Sequence, residues 1–193
     1  MRTAFQHNQY LLKRQVFALT GKFRVYDPAE NLVLFSEQKM FRLREDIRVY
    51  SDESKSQELL TIQARQIIDF SAAYDVMDAT TGEKVGVLRR KGLASLLRDE
   101  WEVLDASDQL RGLLFEDSVG LALLRRLLLG SLLPQNYDIT FGETRVADLR
   151  QRFNLFRYEL DLDFSMDPVR ALDRRLGIAA GILLATVEGK QSN

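Results

Sequence analysis

The stretch from residue 167 to residue 188 constrains the fold more than any other part of this chain. Its middle, Leu176 to Val187, contains no charged side chain, and its apolar residues cover every side of a helix. Asp167 is suited to cap such a helix and Pro168 to occupy its first position, so we expect the helix to begin there. A helix that is apolar all round must be enclosed by protein or by lipid.

The length of the uncharged run decides between those two surroundings. It comprises twelve residues, whereas a transmembrane helix needs roughly 20. Charged residues bound it on both sides, with Arg174 and Arg175 before it and Glu188 and Lys190 after it. We therefore predict a helix that is buried in a protein core, and no transmembrane span.

Most of the remaining chain shows the pattern of short antiparallel strands. Three segments repeat the order aromatic, any residue, Val, any residue, Asp, followed by a polar turn and a returning apolar strand. They begin at Phe23, Tyr74 and Trp101, and their carboxylates are those of Asp27, Asp78 and Asp105. Asp initiates turns because its side chain accepts hydrogen bonds from backbone N–H groups further along the chain. We interpret these carboxylates as turn formers and not as catalytic groups.

The strands and the apolar helix together predict one architecture. Residues 118–133 interrupt the strand pattern and are predicted to form an additional helix. No linker rich in Pro, Gly or Ser divides the 193 residues. Barrel diameter grows with strand number, and eight strands would leave room only for side chains. We therefore expect a single domain over residues 1–193, mainly β: a closed antiparallel β-barrel of about twelve strands around a central hydrophobic C-terminal helix.

The composition excludes several classes of function. The net charge of -1 provides no overall attraction to nucleic acid, and no basic stripe with interleaved aromatic residues is present. The absence of cysteine removes disulfides, thiolate metal sites and thiol catalysis. The first 15 residues lack the uninterrupted apolar region of a secretory signal, so the expected location is the cytoplasm.

Residues with catalytic or metal-binding chemistry are sparse. The chain contains none of the common nucleotide-binding or zinc-binding motifs, and its only histidine, His7, lies in the N-terminal segment. Residues 161–172 have the alternating acids of a calcium loop, but Met166 stands where Gly is needed and Leu172 where Glu is needed. We interpret Asp161 and Asp163 as the solvated face of a strand. We predict no catalytic, cofactor-binding or metal-binding residue.

The order of these features resembles a known family. The LURP-one-related proteins are similar to this chain over residues 10–188, in the opening YLLKRQVFALTGKFRVYD, the hairpins that end in an Asp turn, and the LDLD strand before an apolar helix. That family shares the tubby C-terminal-like fold with the phospholipid scramblases. The resemblance implies a barrel of about twelve antiparallel strands around a central helix. Arg150 and Arg152 occupy the places where scramblases have the first Asp residues of their proposed calcium loop, so calcium-driven scrambling is not implied.

Clustered basic residues are the candidate contacts to a partner. They are Arg125 and Arg126 in the predicted additional helix, and Arg89, Arg90 and Lys91 at the end of a hairpin strand. Each cluster fits either a solvated surface with ion pairs or a patch that contacts anionic headgroups. We expect a non-enzymatic binding protein, cytoplasmic or peripheral to a membrane, that recognises anionic lipid headgroups or a protein partner. The alternative is a soluble enzyme or small-ligand-binding protein with a pocket at the barrel mouth.

Overall fold

A computed structural model describes the fold of residues 3–15, 20–39, 46–65, 72–91, 100–116, 134–154 and 157–191. The strands are β1 (Gln9–Gln15), β2 (Thr20–Tyr26), β3 (Leu32–Lys39), β4 (Ile47–Tyr50), β5 (Glu58–Ala64), β6 (Ala73–Asp78), β7 (Lys84–Arg90), β8 (Glu100–Leu104), β9 (Leu110–Glu116), β10 (Asn136–Phe141), β11 (Thr144–Arg152) and β12 (Arg157–Asp163). A short 3-10 helix (Thr3–Phe5) precedes β1, and an α-helix, α1 (Arg174–Gln191), follows β12. The predicted helix over residues 118–133 lies outside the described residues.

The twelve strands form one closed barrel. Each strand pairs antiparallel with its neighbours in the chain, and β1 closes the ring by pairing with β12. Successive side chains of a strand point to opposite faces. On β12, Leu160 and Leu162 are buried in the core, whereas Asp161 lies on the outer face and pairs with Arg152 at 2.7 Å. The predictions of a mainly β barrel and of a solvated face at Asp161 and Asp163 are confirmed.

The helix α1 occupies the interior of the barrel. Every residue from Leu176 to Ala185 is buried. On one side, a Cβ added at Gly181 would come within 2.9 Å of Leu162 on β12; on the other, Leu176 reaches within 2.9 Å of the Cβ position of Gly86 on β7. Because β12 and β7 lie five strands apart in a ring of twelve, α1 touches opposite walls and must pass between them. The predicted central helix is confirmed.

The start of the helix differs from the sequence prediction. The helix begins at Arg174 and not at Pro168. Its cap is Asp173, whose Oδ1 accepts a hydrogen bond from the backbone N of Arg175 at 2.9 Å. This is the bond that an N-cap side chain makes to the second residue of a helix. The prediction that Asp167 caps the helix was therefore wrong.

Asp167 instead shapes the connector between β12 and α1. Its carboxylate accepts hydrogen bonds from the backbone N of Ala171 at 2.9 Å and of Leu172 at 3.0 Å. These donors lie four and five residues ahead, beyond the two or three residues that a helix cap spans. Within this connector Arg170 has a φ of 55°, a left-handed conformation that interrupts a helix. The pair Asp167-Pro168, which is typical of a helix start, therefore lies in a loop in this protein.

The three repeated aspartates form turns as predicted. Each carboxylate accepts hydrogen bonds from backbone N–H groups two to four residues ahead. The pairs are Asp27 with Ala29 and Asn31, Asp78 with Thr80 and Thr81, and Asp105 with Ser107 and Gln109. Three copies of one motif therefore supply three hairpin turns, and their interpretation as turn formers is confirmed.

Asp78 has a second role that distinguishes it from the other turn aspartates. It accepts a hydrogen bond from Arg175 Nη1 at 2.9 Å and so ties its hairpin to the start of α1. We predict that Asp78→Ala lowers the free energy of unfolding by about 1–3 kcal/mol, because backbone donors and a cation both lose their acceptor. Urea unfolding at neutral pH should show a smaller loss for Asp105→Ala. Equal losses in the two variants would contradict a contribution from the pair with Arg175.

The antiparallel order gives the barrel two unlike mouths. At one, named here the turn mouth, the chain reverses through residues 27–31, 51–57, 79–83, 105–109 and 142–143. At the other, named the loop mouth, each odd-numbered strand ends and the next even-numbered strand begins. The helix α1 follows β12 and therefore enters at the turn mouth, with its C-terminal end directed to the loop mouth. Each mouth thus gathers residues that are far apart in sequence.

Candidate functional site

A fully buried arginine ties the chain together at the turn mouth. The side chain of Arg174 is 0% exposed. Its Nη1 donates hydrogen bonds to Asp167 Oδ2 at 2.9 Å and to Leu172 O at 3.0 Å, and its Nη2 donates to Asp167 O at 2.9 Å. The guanidinium lies over the ring of Phe164, 4.9 Å from its centroid. These contacts join the start of α1 to the connector before it.

The carboxylate of Asp167 is held in its charged form by this arrangement. Burial raises the pKa of Asp167, but hydrogen bonds from Arg174 and from the backbone of Leu172 and Ala171 lower it more. The net pKa lies below the ordinary value of an aspartate. A buried charge that is neutralised by one cation and several hydrogen bonds has the character of a structural ion pair and not of a catalytic acid.

The N-terminal segment closes the same mouth. Phe5 and Tyr10 are buried, and the Tyr10 hydroxyl accepts a hydrogen bond from the backbone N of His7 at 3.1 Å. Burial raises the pKa of Tyr10 to about 12. This side chain is therefore a neutral phenol at physiological pH, and it fills space against Phe164.

A cavity of about 620 Å³ opens at the turn mouth beside this segment. Its polar lining comes from Thr3, His7, Asp27, Ser51 and Gln57, and the rest of the lining is apolar. His7 Nε2 lies 3.9 Å from an oxygen of Asp27. The same carboxylate already accepts hydrogen bonds from its own turn. The cavity therefore offers hydroxyl, amide and imidazole groups to a small molecule.

The charges of the two mouths are opposite. The five turns of the turn mouth contain Asp27, Glu30, Asp52, Glu53, Glu83, Asp105, Asp108 and Glu143 against Lys55. The strand ends at the loop mouth include Arg14, Arg48, Arg89, Arg90, Lys91, Arg152 and Arg157 against Asp46, Glu100 and Glu116. Four of these cations pair with a carboxylate: Arg48 with Glu58, Arg89 with Glu102, Lys91 with Glu100 and Arg152 with Asp161. The turns are therefore acidic, with Lys84 and Arg111 on the strand ends beside them, and the strand ends of the loop mouth carry more cations than carboxylates. A chain with a net charge of -1 thus separates its charges along the barrel axis.

The connecting sequences of the two mouths also differ in their content of apolar residues. The five turns contain no Val, Leu, Ile, Met or aromatic residue. Each of the six connections between strands at the loop mouth contains at least three such residues, as in Val16-Phe17-Ala18-Leu19 between β1 and β2. Basic strand ends joined by apolar sequences therefore characterise the loop mouth.

The basic cluster predicted on the hairpin strand lies at the loop mouth. Arg89 pairs with Glu102 at 2.5 Å, and Lys91 pairs with Glu100 at 2.7 Å. Both carboxylates belong to the adjacent strand β8, so these cations are partly neutralised across the strand pair. Arg90 is half-buried next to them. An anion contact at these residues stays a prediction.

The other predicted contacts, Arg125 and Arg126, lie outside the described residues. Arg150 and Arg152, which the resemblance to scramblases singled out, lie on the outer wall. Arg150 Nε is 2.8 Å from Asp148, and Arg152 Nε is 2.7 Å from Asp161. These arginines therefore neutralise acids of the wall.

The hairpin between β11 and β12 carries a feature that the sequence reasoning missed. The side chain of Phe153 is 64% exposed at the loop mouth. Arg152 precedes it, and Arg157 follows at the start of β12. The exposed Arg157 guanidinium has no carboxylate partner among the described residues. The sequence Arg150-Gln-Arg-Phe-Asn-Leu-Phe-Arg157, in which arginines flank three apolar residues, could have identified this hairpin.

Across the ranges that the structure describes, no three His, Asp or Glu side chains come together in a way that could hold a metal ion. In the same ranges, no helix combines the length and the apolar character required to cross a membrane.

Comparison with known proteins agrees with the fold. The model of the LURP-one-related family matches residues 32–184, which comprise most of the chain. No curated protein and no solved structure gives a significant match. The closed barrel around a central helix is the fold that the resemblance to tubby-like proteins implied. On the family match and this architecture, the chain belongs to the LURP-one-related family.

Proposed function

We propose that this protein is a non-enzymatic binder of anionic membrane surfaces and that it docks through its loop mouth. The observation that carries the proposal is the contrast between the mouths in charge and apolarity. An approach through the turn mouth would bring carboxylates against lipid phosphates. An approach through the loop mouth would bring Arg157 and the partly neutralised cations beside it to the phosphates, and an unpaired cation is worth about 1 kcal/mol near an anionic surface.

The apolar connections favour a bilayer over other polyanions. Arginine pairs with phosphate in any polyanion, but apolar side chains gain free energy only where they leave water, as they do at the boundary between headgroups and acyl chains. Recognition of single-stranded nucleic acid would instead use aromatic side chains that stack on bases in a basic groove. The apolar residues of the connections include Phe17, Phe41, Phe70, Phe153 and Phe156 but are mostly aliphatic. Because aliphatic side chains do not stack on bases, this composition favours a lipid surface.

Vesicle co-sedimentation tests the proposal. We expect binding to vesicles of phosphatidylcholine with phosphatidylserine, weak binding to phosphatidylcholine alone, and release as salt is raised, because salt screens surface charge. Arg157→Glu should weaken binding about tenfold or more, since it removes one attraction and adds one repulsion. The matched control is Arg111→Glu, the same change at an arginine of the turn mouth that is 55% exposed.

The two variants make the outcome decisive. Binding that is reduced by Arg157→Glu and unchanged by Arg111→Glu supports docking through the loop mouth. Equal effects of the two variants would contradict that orientation. If the wild-type protein fails to bind anionic vesicles at low salt, the membrane proposal is wrong.

A second candidate function rests on the turn-mouth cavity. Its volume of about 620 Å³ is in the range of pockets that hold small ligands. We propose as the alternative a small neutral molecule that hydrogen-bonds to Ser51 and Gln57. Native mass spectrometry of the purified protein would detect such a ligand as added mass. Its loss in Ser51→Val would favour this function, and a ligand retained in that variant would exclude this position.

A further inference from the structure

We propose that Phe153 is the membrane anchor of the loop mouth, inserting its ring into the interface of an anionic bilayer while Arg157 contacts lipid phosphate. This inference rests on the proposed function and deepens it, because it names the residue that enters the lipid. It also sets the orientation of the barrel, with the hairpin between β11 and β12 directed at the bilayer.

Phe153 differs from the other exposed apolar residues in its type and its position. Among the described residues, the large apolar side chains that are exposed are Leu110 at 58%, Phe153 at 64% and Val169 at 84%. Leu110 and Val169 lie at the turn mouth, in β9 next to its turn and in the connector before α1. Phe153 is the aromatic member of this set and the one at the loop mouth. An isolated exposed apolar residue is ordinary, so its surroundings must decide its role.

The surroundings of Phe153 are those of an interfacial anchor. It follows β11 directly, where the strand pairing with β12 ends at Arg152 and Glu159. The neighbouring Asn154 Oδ1 accepts a hydrogen bond from the backbone N of Arg157 at 3.1 Å, which ties the residue after Phe153 to the start of β12. Arg157 is exposed and has no carboxylate partner within the described ranges, so that its guanidinium can pair with a phosphate. A bilayer surface has a charged headgroup layer above an apolar acyl layer. The ring of Phe153 suits the acyl boundary, and Arg157, close by in sequence, suits the headgroups.

Charge complementarity selects the bilayer over a second copy of this chain. The loop mouth of a second copy would oppose arginines with arginines. The turn mouth of a second copy is acidic and exposes Leu110 and Val169, but these are two separate side chains and not the continuous apolar layer that a bilayer offers to the ring. An anionic bilayer provides both the negative charge and the apolar layer. We therefore commit to lipid as the occupant of this surface.

The first test compares alanine variants of the exposed apolar residues. Phe153→Ala should weaken partitioning onto vesicles of phosphatidylcholine with phosphatidylserine about tenfold, because the ring no longer leaves water on binding. Leu110→Ala and Val169→Ala, at the opposite mouth, should leave partitioning unchanged. Because all three side chains are exposed, all three variants should retain the thermal stability of the wild type. Loss of partitioning by all three alike would overturn the assignment.

The second test places a fluorophore at each mouth. The chain contains one tryptophan, Trp101, which is buried and supplies the same background in both variants. Phe153→Trp should shift its emission to the blue with anionic vesicles and be quenched by brominated acyl chains. Leu110→Trp should do neither. Quenching of Leu110→Trp but not of Phe153→Trp would overturn the orientation.

The outcomes separate this inference from the proposed function. If wild-type protein binds anionic vesicles and Phe153→Ala binds equally, the anchor is wrong while the membrane function stands. If wild-type protein does not bind, both fail. If sedimentation equilibrium without lipid shows self-association that Phe153→Ala abolishes, Phe153 contacts a second copy and the lipid anchor is wrong.

Discussion

Replacing Arg174 by methionine should lower the free energy of unfolding by about 3–5 kcal/mol, because removal of one partner leaves a buried charge uncompensated. Arg174 and Asp167 are 0% and 2% exposed in their side chains. The substitution would strip the Asp167 carboxylate of its cation and leave the carbonyl of Leu172 without its side-chain donor. Thermal and urea unfolding of the variant measure the loss.

A surface pair provides the matched control for this prediction. Arg48 lies 3.2 Å from Glu58, and its side chain is 58% exposed. Arg48→Met should cost no more than about 1 kcal/mol, because solvent screens an exposed ion pair. Similar losses in Arg174→Met and Arg48→Met would contradict the role given to the buried pair. A double-mutant cycle with Asp167→Leu isolates the interaction, and the double variant should be more stable than the sum of the single losses implies.

The same pair makes stability depend on pH with a defined sign. Burial raises the pKa of Asp167, but Arg174 and two backbone donors lower it more, so the folded pKa lies below the unfolded value, which is about 3.9. A lowered carboxylate pKa stabilises the fold above the unfolded pKa, and the benefit is lost as pH falls through the folded pKa. Between pH 7 and pH 3, Asp167→Asn should therefore lose less stability than the wild type. An equal or steeper loss would contradict this contribution.

Enlarging Gly177 should destabilise the protein because α1 is enclosed. In an exposed helix, Gly→Ala is stabilising by about 1 kcal/mol. At Gly177, an added Cβ would lie 2.5 Å from Cε1 of the Phe164 ring, whereas at Gly181 it would lie 2.9 Å from the flexible tip of Leu162. We therefore expect Gly177→Ala to destabilise by about 1–3 kcal/mol and Gly181→Ala to be closer to neutral.

Leucine at the second glycine provides a stronger version of the same test. Gly181→Leu should cost about 1–3 kcal/mol or more, because the larger side chain overpacks the space between the helix and β12. Urea unfolding of the three glycine variants should rank Gly181→Ala as the most stable. If Gly177→Ala and Gly181→Leu both unfold like the wild type, or later, the helix does not lie between the walls of the barrel.

The barrel and its central helix were predictable because their signals are local. The uncharged run from Leu176 to Val187 predicts a helix that is buried on all sides. The aspartates at 27, 78 and 105 form turns through hydrogen bonds to residues close by in sequence. Neither signal depends on distant contacts. The architecture then follows, because short antiparallel hairpins and an enclosed helix together require a wide barrel.

The helix start was mispredicted because contacts four to seven residues ahead override the signal of the Asp-Pro pair. Asp167 followed by Pro168 has the composition of a helix start, but its carboxylate is committed to Arg174 and to the backbone of the connector. The burial of Arg174 was equally hidden, because an arginine followed by Arg175 has the appearance of a surface pair. Of the two, Arg175 keeps some exposure and binds Asp78 and Asp173, whereas Arg174 turns inward.

The candidate site depends on topology, which the sequence alone did not supply. The predicted cluster Arg89, Arg90 and Lys91 was found from consecutive basic residues, and its pairing with β8 became visible only with the strand register. The contrast between the mouths appears only when alternate connections are grouped, since acidic turns and apolar connections follow each other along the chain. Phe153 stands out once its exposure is known.

Hydrogen–deuterium exchange with and without anionic vesicles would test most directly whether the loop mouth is the membrane-binding surface. The prediction is slower exchange at the ends of β7 and β11 and at the start of β12, with unchanged exchange in the turns at residues 79–83 and 105–109. Neutral vesicles should change neither set. Protection of the acidic turns, or no protection with vesicles that sediment the protein, would contradict docking through the loop mouth.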